Sequence, residues 1–301
     1  MNTFLFREFC QKNPVNDAEW AVEYFSYFGG LNIPLEGNLS LHELLVKHIL
    51  NPFDSLKKSI SMPLGDNPLY PKLLHAISIG DRREKTAFKR AHIGKEKGTE
   101  AFDFLRHINY LSLEFSREKP LQRSHPKQRF KKEIERHKIS DKFRFSTPFL
   151  RFWFAFIAPF ESTIRQKNYQ PVLQYFDLHC NEFVGFIFEE LCDLYLHKIS
   201  NQEGVNIIRS GSYWDREIEI DLYAETDQNT LWIGECKWTN HKIGKKELRL
   251  LEEKCRKSNL YFDKLFLFCK RGFSNELQGI KNSNIFLVDG NQVYQTLLFS
   301  N

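Results

Sequence analysis

The residues best suited to chemistry fall in one short stretch. From Glu217 to Leu222 the chain reads Glu-Ile-Glu-Ile-Asp-Leu, acid alternating with apolar. Alternate residues of a strand share a face. Glu217, Glu219 and Asp221 are therefore expected on one side, with the isoleucines in a core. A second strand, Thr-Leu-Trp-Ile-Gly-Glu-Cys-Lys-Trp at 230–238, puts Glu235 and Lys237 on one face and Cys236 on the other. Asp227-Gln228-Asn229 between them has turn composition, so the two runs predict a hairpin. Folding there brings Asp221, Glu235 and Lys237 together, and Glu189 of the preceding helix can lean over the same point. Paired carboxylates suit Mg²⁺, with Mn²⁺ as a substitute, because a hard cation prefers carboxylate, water and phosphate oxygens. A water bound to such a cation can attack a phosphodiester, and the Lys237 ammonium can offset charge on the transition state. The competing expectation is a charge ladder on an exposed sheet face. A second acid-x-Lys, Glu252–Lys254, lies in a helical stretch and is set aside on that context.

Four segments are expected to position this hairpin. Residues 1–66 read as helices: WAVEYFSYFGG stops at Gly29-Gly30, and Asn38 or Ser40 caps LHELLVKHILN, which Pro52 ends. SMPLGDNP at 61–68 reads as a linker. Residues 67–148 predict a winged helix. Its first helix ends at Gly80, its second is capped by Asp81 and ends at Gly94, and its third buries Phe102, Leu105, Ile108 and Leu111. Two strand-like runs, LSLEFSRE and DKFRFSTPF, follow, with a basic wing at 120–140 between them. Residues 149–180 are a Phe-rich helical connector whose run FLRFWFAFIAPF is too short for a bilayer span of about 20 residues. Residues 181–301 alternate helix and strand and predict an α/β domain around a mixed sheet.

Charge divides the chain. Between Arg82 and Lys138 there are 17 Lys and Arg against 8 Asp and Glu, a local +9 within a net +5, so the remainder is −4. A basic block in a mildly acidic chain suits a polyanion. The cations expected on a nucleic acid are Arg82, Arg83, Lys89, Arg90, Lys95, Lys97, Arg123, Lys127, Arg129, Lys131 and Lys132. The six cysteines form no CxxC pair, which argues against a zinc site or disulfide framework and for a cytoplasmic protein. No secretory signal and no membrane partner are expected. Cys236 is expected as a core thiol, His241 as a loop residue, and Tyr213 and Trp214 as packing under the first strand.

Residues 181–238 resemble the PD-(D/E)XK nuclease superfamily. More narrowly, they resemble the C-terminal domain of unknown function attached to archaeal and bacterial AAA-type ATPases. The resemblance rests on Phe188-Glu189, Gly211 with Tyr213-Trp214, EIDLYA at 219–224 and GECKW at 234–238. It extends weakly upstream to 140–157, to 69–120, and to EYFSYFGGLNIPLEGN at 23–38, which is similar to the end of an ATPase lid. It implies a restriction-endonuclease-like domain with Glu189, Asp221, Glu235 and Lys237 as catalytic residues and Glu189, Asp221 and Glu235 as metal ligands. The phosphate loop GxxxxGK[ST] is absent: Gly94-Lys95 and Gly244-Lys245 lack both the preceding glycine and the following hydroxyl residue. ATP chemistry is therefore not expected.

The sequence thus predicts an α+β or α/β chain, a helical segment and winged helix followed by a restriction-endonuclease-like domain. The expected function is a Mg²⁺-dependent endodeoxyribonuclease acting on double-stranded DNA, with a second copy or a separate ATPase as a further partner. The alternatives are a non-catalytic DNA-binding or adaptor protein on the same scaffold, and an interaction module with no nucleic-acid partner.

Overall fold

A computed structural model describes residues 3–14, 17–118, 125 and 140–299. The chain forms two compact units, each drawing on two stretches: Met1–Leu113 with Lys142–Ile187, and Glu114–Asp141 with Phe188–Asn301. Mixed α and β structure is present, helical first and with a mixed sheet in the C-terminal part. Among the described residues no helix is long and apolar enough to cross a membrane.

The first unit begins with α1 (Thr3–Lys12) and α2 (Ala18–Phe28), locked by Phe6 against Phe25, edge to face at 5.0 Å. Asp17 caps α2 by accepting the Glu19 and Trp20 amides. Ser40, rather than Asn38, caps α3 (Leu41–Leu45) in a reciprocal pair with Glu43. The helix runs on through a π turn at Val46–Leu50 and stops before Pro52. An unexpected helix, α4 (Phe53–Ser61), restarts directly after that proline. Pro has no N–H to lose at the start of a helix, so the residue that ends one element begins the next.

Three helices follow: α5 (Leu69–Ser78), α6 (Glu84–Ala91) and α7 (Lys95–His107). They lead into a two-stranded sheet of β1 (Leu111–Glu114) and β2 (Lys142–Phe145), with an added antiparallel bridge from Arg83 to Lys142. Asp81 does not cap α6. It accepts the Arg83 amide and the Thr86 hydroxyl, and Arg83 holds the cap position. The helix ends at His92 in the left-handed conformation (φ 55°), two residues before Gly94, which starts α7 instead. Gly98 lets α7 approach α6: a Cβ there would stand 2.2 Å from Cε1 of Phe88. Phe102 then stacks between Phe88 and Phe143, at 5.3 and 4.1 Å.

The Phe-rich run is buried, as its length requires. It forms α8 (Pro148–Phe152), a π turn at Trp153–Ile157, a short 3-10 turn and α9 (Glu161–Arg165). Its one cation, Arg151, is buried. The guanidinium donates to the Phe183 carbonyl at 3.2 Å and lies over the Phe183 and Phe186 rings at 4.3 and 4.4 Å. The boundary expected at 180/181 falls inside one helix, α10 (Gln170–Gln202), whose 33 residues extend about 50 Å.

The second unit is built on a five-stranded sheet in the order β3-β6-β7-β8-β9. The strands are β3 (Ile207–Arg209), β6 (Leu222–Thr226), β7 (Leu231–Lys237), β8 (Lys264–Cys269) and β9 (Ile285–Asp289). β6 and β7 are the expected antiparallel hairpin, turned at Asn229 (φ 58°). β8 and β9 add in parallel. Parallel neighbours need a crossover, supplied between β7 and β8 by α11 (Lys245–Lys257). After β8, the short α12 (Asn275–Gln278) precedes β9, and α13 (Gly290–Phe299) closes the described chain. A separate ribbon pairs β4 (Tyr213–Trp214) with β5 (Glu219–Ile220).

Candidate metal and phosphodiester site

Strand alternation sorts β7 between the two sides of the sheet. Ile233 joins Leu265, Leu267, Leu248, Leu251 and Cys255 in the core beneath α11. Glu235 and Lys237 share its parity and so face α11. Cys236 faces the other way, and its thiol lies beside that of Cys192 on α10. Burial pushes both thiols up, so Cys236 is an inert core residue. All six cysteines are free.

The acid-alternating run does not form one strand. It pairs as β5 up to Ile220, breaks at Asp221, and resumes as β6 in another sheet. The cause is local. Asp215 Oδ1 accepts the amides of Glu217 and Ile218, which bends the chain and turns β5 back on β4. Ile218 and Ile220 are core residues, while Glu217 and Glu219 are exposed, with Glu217 paired to Arg216 at 2.6 Å. Of the three acids only Asp221 reaches the site.

Asp221 lies one residue beyond the Leu222–Gly234 pair, opposite Glu235, and its Oδ2 accepts the Cys236 amide at 2.9 Å. Burial, then the Glu235 charge, pushes the Asp221 carboxyl up to about 7, and the Cys236 amide, Lys237 and Lys254 pull it back less. Glu235 is almost enclosed, its side chain 9% exposed. Lys237 Nζ donates to its Oε1 at 2.7 Å, and Lys254 Nζ lies 2.9 and 2.7 Å from Oε1 and Oε2. Burial draws the Lys237 ammonium down, but Glu235 outweighs it and holds it above the usual lysine value.

Lys254 was not expected here. The covering helix is α11, which follows β7, and not the helix before the hairpin. Leu248, Leu251 and Cys255 seat one face of α11 on the sheet, and Lys254, next to Cys255, is delivered to the Glu235 carboxylate. Glu189 is half-buried on α10, and its charge, like that of Asp221, acts on the Cys192 and Cys236 thiols. Among the described residues no group of three His, Cys, Asp or Glu side chains is disposed to hold a metal ion. The two that meet, Asp221 and Glu235, are hard oxygen donors on adjacent strands. Burial and the Glu235 charge still disfavour the ionised Asp221 carboxyl despite two neighbouring lysines. On both counts the pair fits a divalent cation such as Mg²⁺.

The expected nucleic-acid contacts divide three ways. Lys89, Arg90, Lys95 and Lys97 are exposed on α6 and the start of α7. Arg82 is a correction: it is 5% exposed, its backbone takes φ 64°, and its guanidinium lies 5.1 Å over the Phe186 ring. A strained, buried cation stacked on an aromatic is a packing element and does not reach a phosphate. Arg83 is half-buried, with Nε enclosed and making no hydrogen bond. Arg123, Lys127, Arg129, Lys131 and Lys132, with the expected wing, lie outside the described residues. Tyr213 and Trp214 are buried, as packing requires, and His241 is an exposed loop residue.

Residues 153–256 match the model of a family described as archaeal and bacterial proteins of unknown function (DUF234). That stretch contains Glu189, Asp221, Glu235, Lys237 and Lys254. No curated protein and no solved structure matches the chain.

Proposed function

We propose that the second unit hydrolyses phosphodiester bonds of DNA with a divalent metal held by Asp221 and Glu235. The carrying observation is that Asp221, just before β6, lies opposite Glu235 of β7 with Lys237 beside them, which supports the reading drawn from the PD-(D/E)XK resemblance. A bound Mg²⁺ would supply an acidified water and offset phosphate charge. The chain's own groups do the rest. The Cys236 amide fixes the orientation of the Asp221 carboxyl. Lys237, with its side chain 37% exposed and one N–H committed to Glu235, has two more donors to offer phosphate oxygens. The exposed cations of α6 and α7 support DNA as the polyanion, because backbone binding needs lysines and arginines where cutting needs acids.

A second function has one observation in its favour. Both oxygens of Glu235 are engaged by lysines, as in a structural ion-pair network. A non-catalytic DNA-binding or adaptor protein, partnering a separate ATPase or another copy, would retain such a network as scaffold. Plasmid cleavage with Mg²⁺ or Mn²⁺ separates the two. Wild-type chain is expected to nick or linearise the plasmid, and Asp221→Ala and Lys237→Ala are not. Salt-sensitive binding without cutting would replace the first function by the second.

A further inference from the structure

We propose that Lys254 is a placeholder for the metal: an ammonium that occupies the Glu235 carboxylate until a divalent cation displaces it, and so sets how tightly the site loads. The proposal rests on the metal-dependent function above and adds the residue that governs loading.

The two lysines on Glu235 are not equivalent. Lys237 comes from the same strand, two residues away, and touches only Oε1. Lys254 comes from the crossover helix and spans both oxygens, at 2.9 and 2.7 Å. That is where a carboxylate receives a cation through both oxygens. A carboxylate has about four lone-pair sites, and three are used by these contacts. A metal at Glu235 therefore requires one contact to be released, and the two-oxygen clamp is the one whose release opens both oxygens together. Lys254 can leave at small cost. Its side chain is 28% exposed, and its four-carbon stem can carry the charge to water or to an incoming phosphate while the stem stays packed. Lys237 stays tied to its own strand. The exchange also lowers the excess positive charge that a divalent cation brings, from two to one. Asp221 and Glu235 face Lys237 and Lys254, two charges against two. A divalent cation added without release would place like charges in contact within a poorly solvated site.

The test reads metal binding, not cutting. Mn²⁺ is titrated into the full chain by calorimetry and by loss of the free-ion electron paramagnetic resonance signal. Wild type is compared with Lys254→Met, Lys254→Gln and Lys254→Arg, each first checked for cooperative unfolding. Both neutral variants are expected to bind Mn²⁺ at least about tenfold more tightly than wild type, the sign following from loss of a like charge at contact distance. Lys254→Arg, which keeps a two-pronged cation on Glu235, is expected to bind no more tightly than wild type. Suppose wild type binds Mn²⁺, Asp221→Asn abolishes binding, and the neutral variants match or fall below wild type. The placeholder is then overturned, Lys254 is a structural ion-pair partner only, and the metal-dependent function stands. If neither wild type nor either neutral variant binds Mn²⁺, both fall together.

Discussion

Replacing Asp221 by Asn is expected to stabilise the protein at pH 8 and to matter much less at pH 5. The folded carboxyl is held up near 7 by burial and by Glu235, against an ordinary value of 3.8. Above pH 7 it is ionised in both folded and unfolded chains, and the folded state bears the cost of an unfavourably placed charge. As pH falls from 7 toward 4 the folded carboxyl takes up a proton that the unfolded one does not, so wild-type stability rises. Below the unfolded value the cost vanishes. A shift of about three units at 1.36 kcal/mol each sets a ceiling of about 4 kcal/mol. Part of Asp221 touches solvent, so about half of that, roughly 2 kcal/mol, is the working figure at pH 8, with under about 1 kcal/mol left at pH 5. Asn imitates the protonated acid, and its amide oxygen can still accept the Cys236 N–H. Thermal unfolding in EDTA from pH 5 to 8 reads the effect. About 2 kcal/mol corresponds to a rise of roughly 4–8 °C in Tm. A gain that does not vary with pH, or an Asn variant less stable than wild type at pH 8, would refute the electrostatic account.

Four further outcomes follow from the same geometry. Mn²⁺ at about 100 times its Kd is expected to stabilise wild type by about 2.7 kcal/mol and Asp221→Asn not at all, read as a metal-dependent shift in Tm. Glu235→Gln leaves two half-buried ammonium groups facing a neutral amide and is expected to cost about 2 kcal/mol at pH 7; denaturant unfolding of Glu235→Gln/Lys254→Met should recover part of it, and strict additivity would argue against the clamp. Gly98→Ala forces a methyl onto Phe88, which is stacked on Phe102, and is expected to cost about 1–3 kcal/mol by the same assay, whereas a neutral result would mean that α6 and α7 separate freely. For a 20-bp duplex followed by fluorescence anisotropy, Lys95→Ala/Lys97→Ala is expected to lower the slope of log K against log salt by about 2, and an unchanged slope would remove α7 from the contact.

Elements whose signals are local could be read from the sequence. The turn at 227–229 and the alternation in β7 depend on neighbouring residues and stand where the sequence puts them, and of the two cap candidates, Asn38 and Ser40, the structure uses Ser40. The errors come from decisions made at a distance. Six residues of perfect alternation at 217–222 look like one strand, but the Asp215 side chain, two residues upstream, captures two amides and splits the run. The sheet order that puts α11 over Glu235 and α10 over Cys236 is also set at a distance. Lys254 stands in an acid-x-Lys triplet whose helical context alone points away from a site. Sequence spacing gives no sign that a crossover helix will return over its own strand. Arg82 shows the limit of counting charge: in composition it belongs to the basic block, and in the structure it is a stacked core residue.

The way the two units divide the chain constrains how it can be made and cut. The second unit takes Glu114 and Arg117 from the middle of the sequence. Glu114 accepts the Ser212 amide and hydroxyl at 2.6 and 2.9 Å, and Arg117 binds the Ser210 and Ser212 carbonyls. These partners are almost a hundred residues apart along the chain. As the protein leaves the ribosome, Glu114 and Arg117 emerge well before Ser210 and Ser212, their partners. Every residue of the first unit has emerged by Ile187, so that unit can form while Glu114 and Arg117 still wait for their partners. A fragment starting at residue 181 would lack the braces of its own sheet, so biochemical dissection of this protein needs point substitutions in the intact chain.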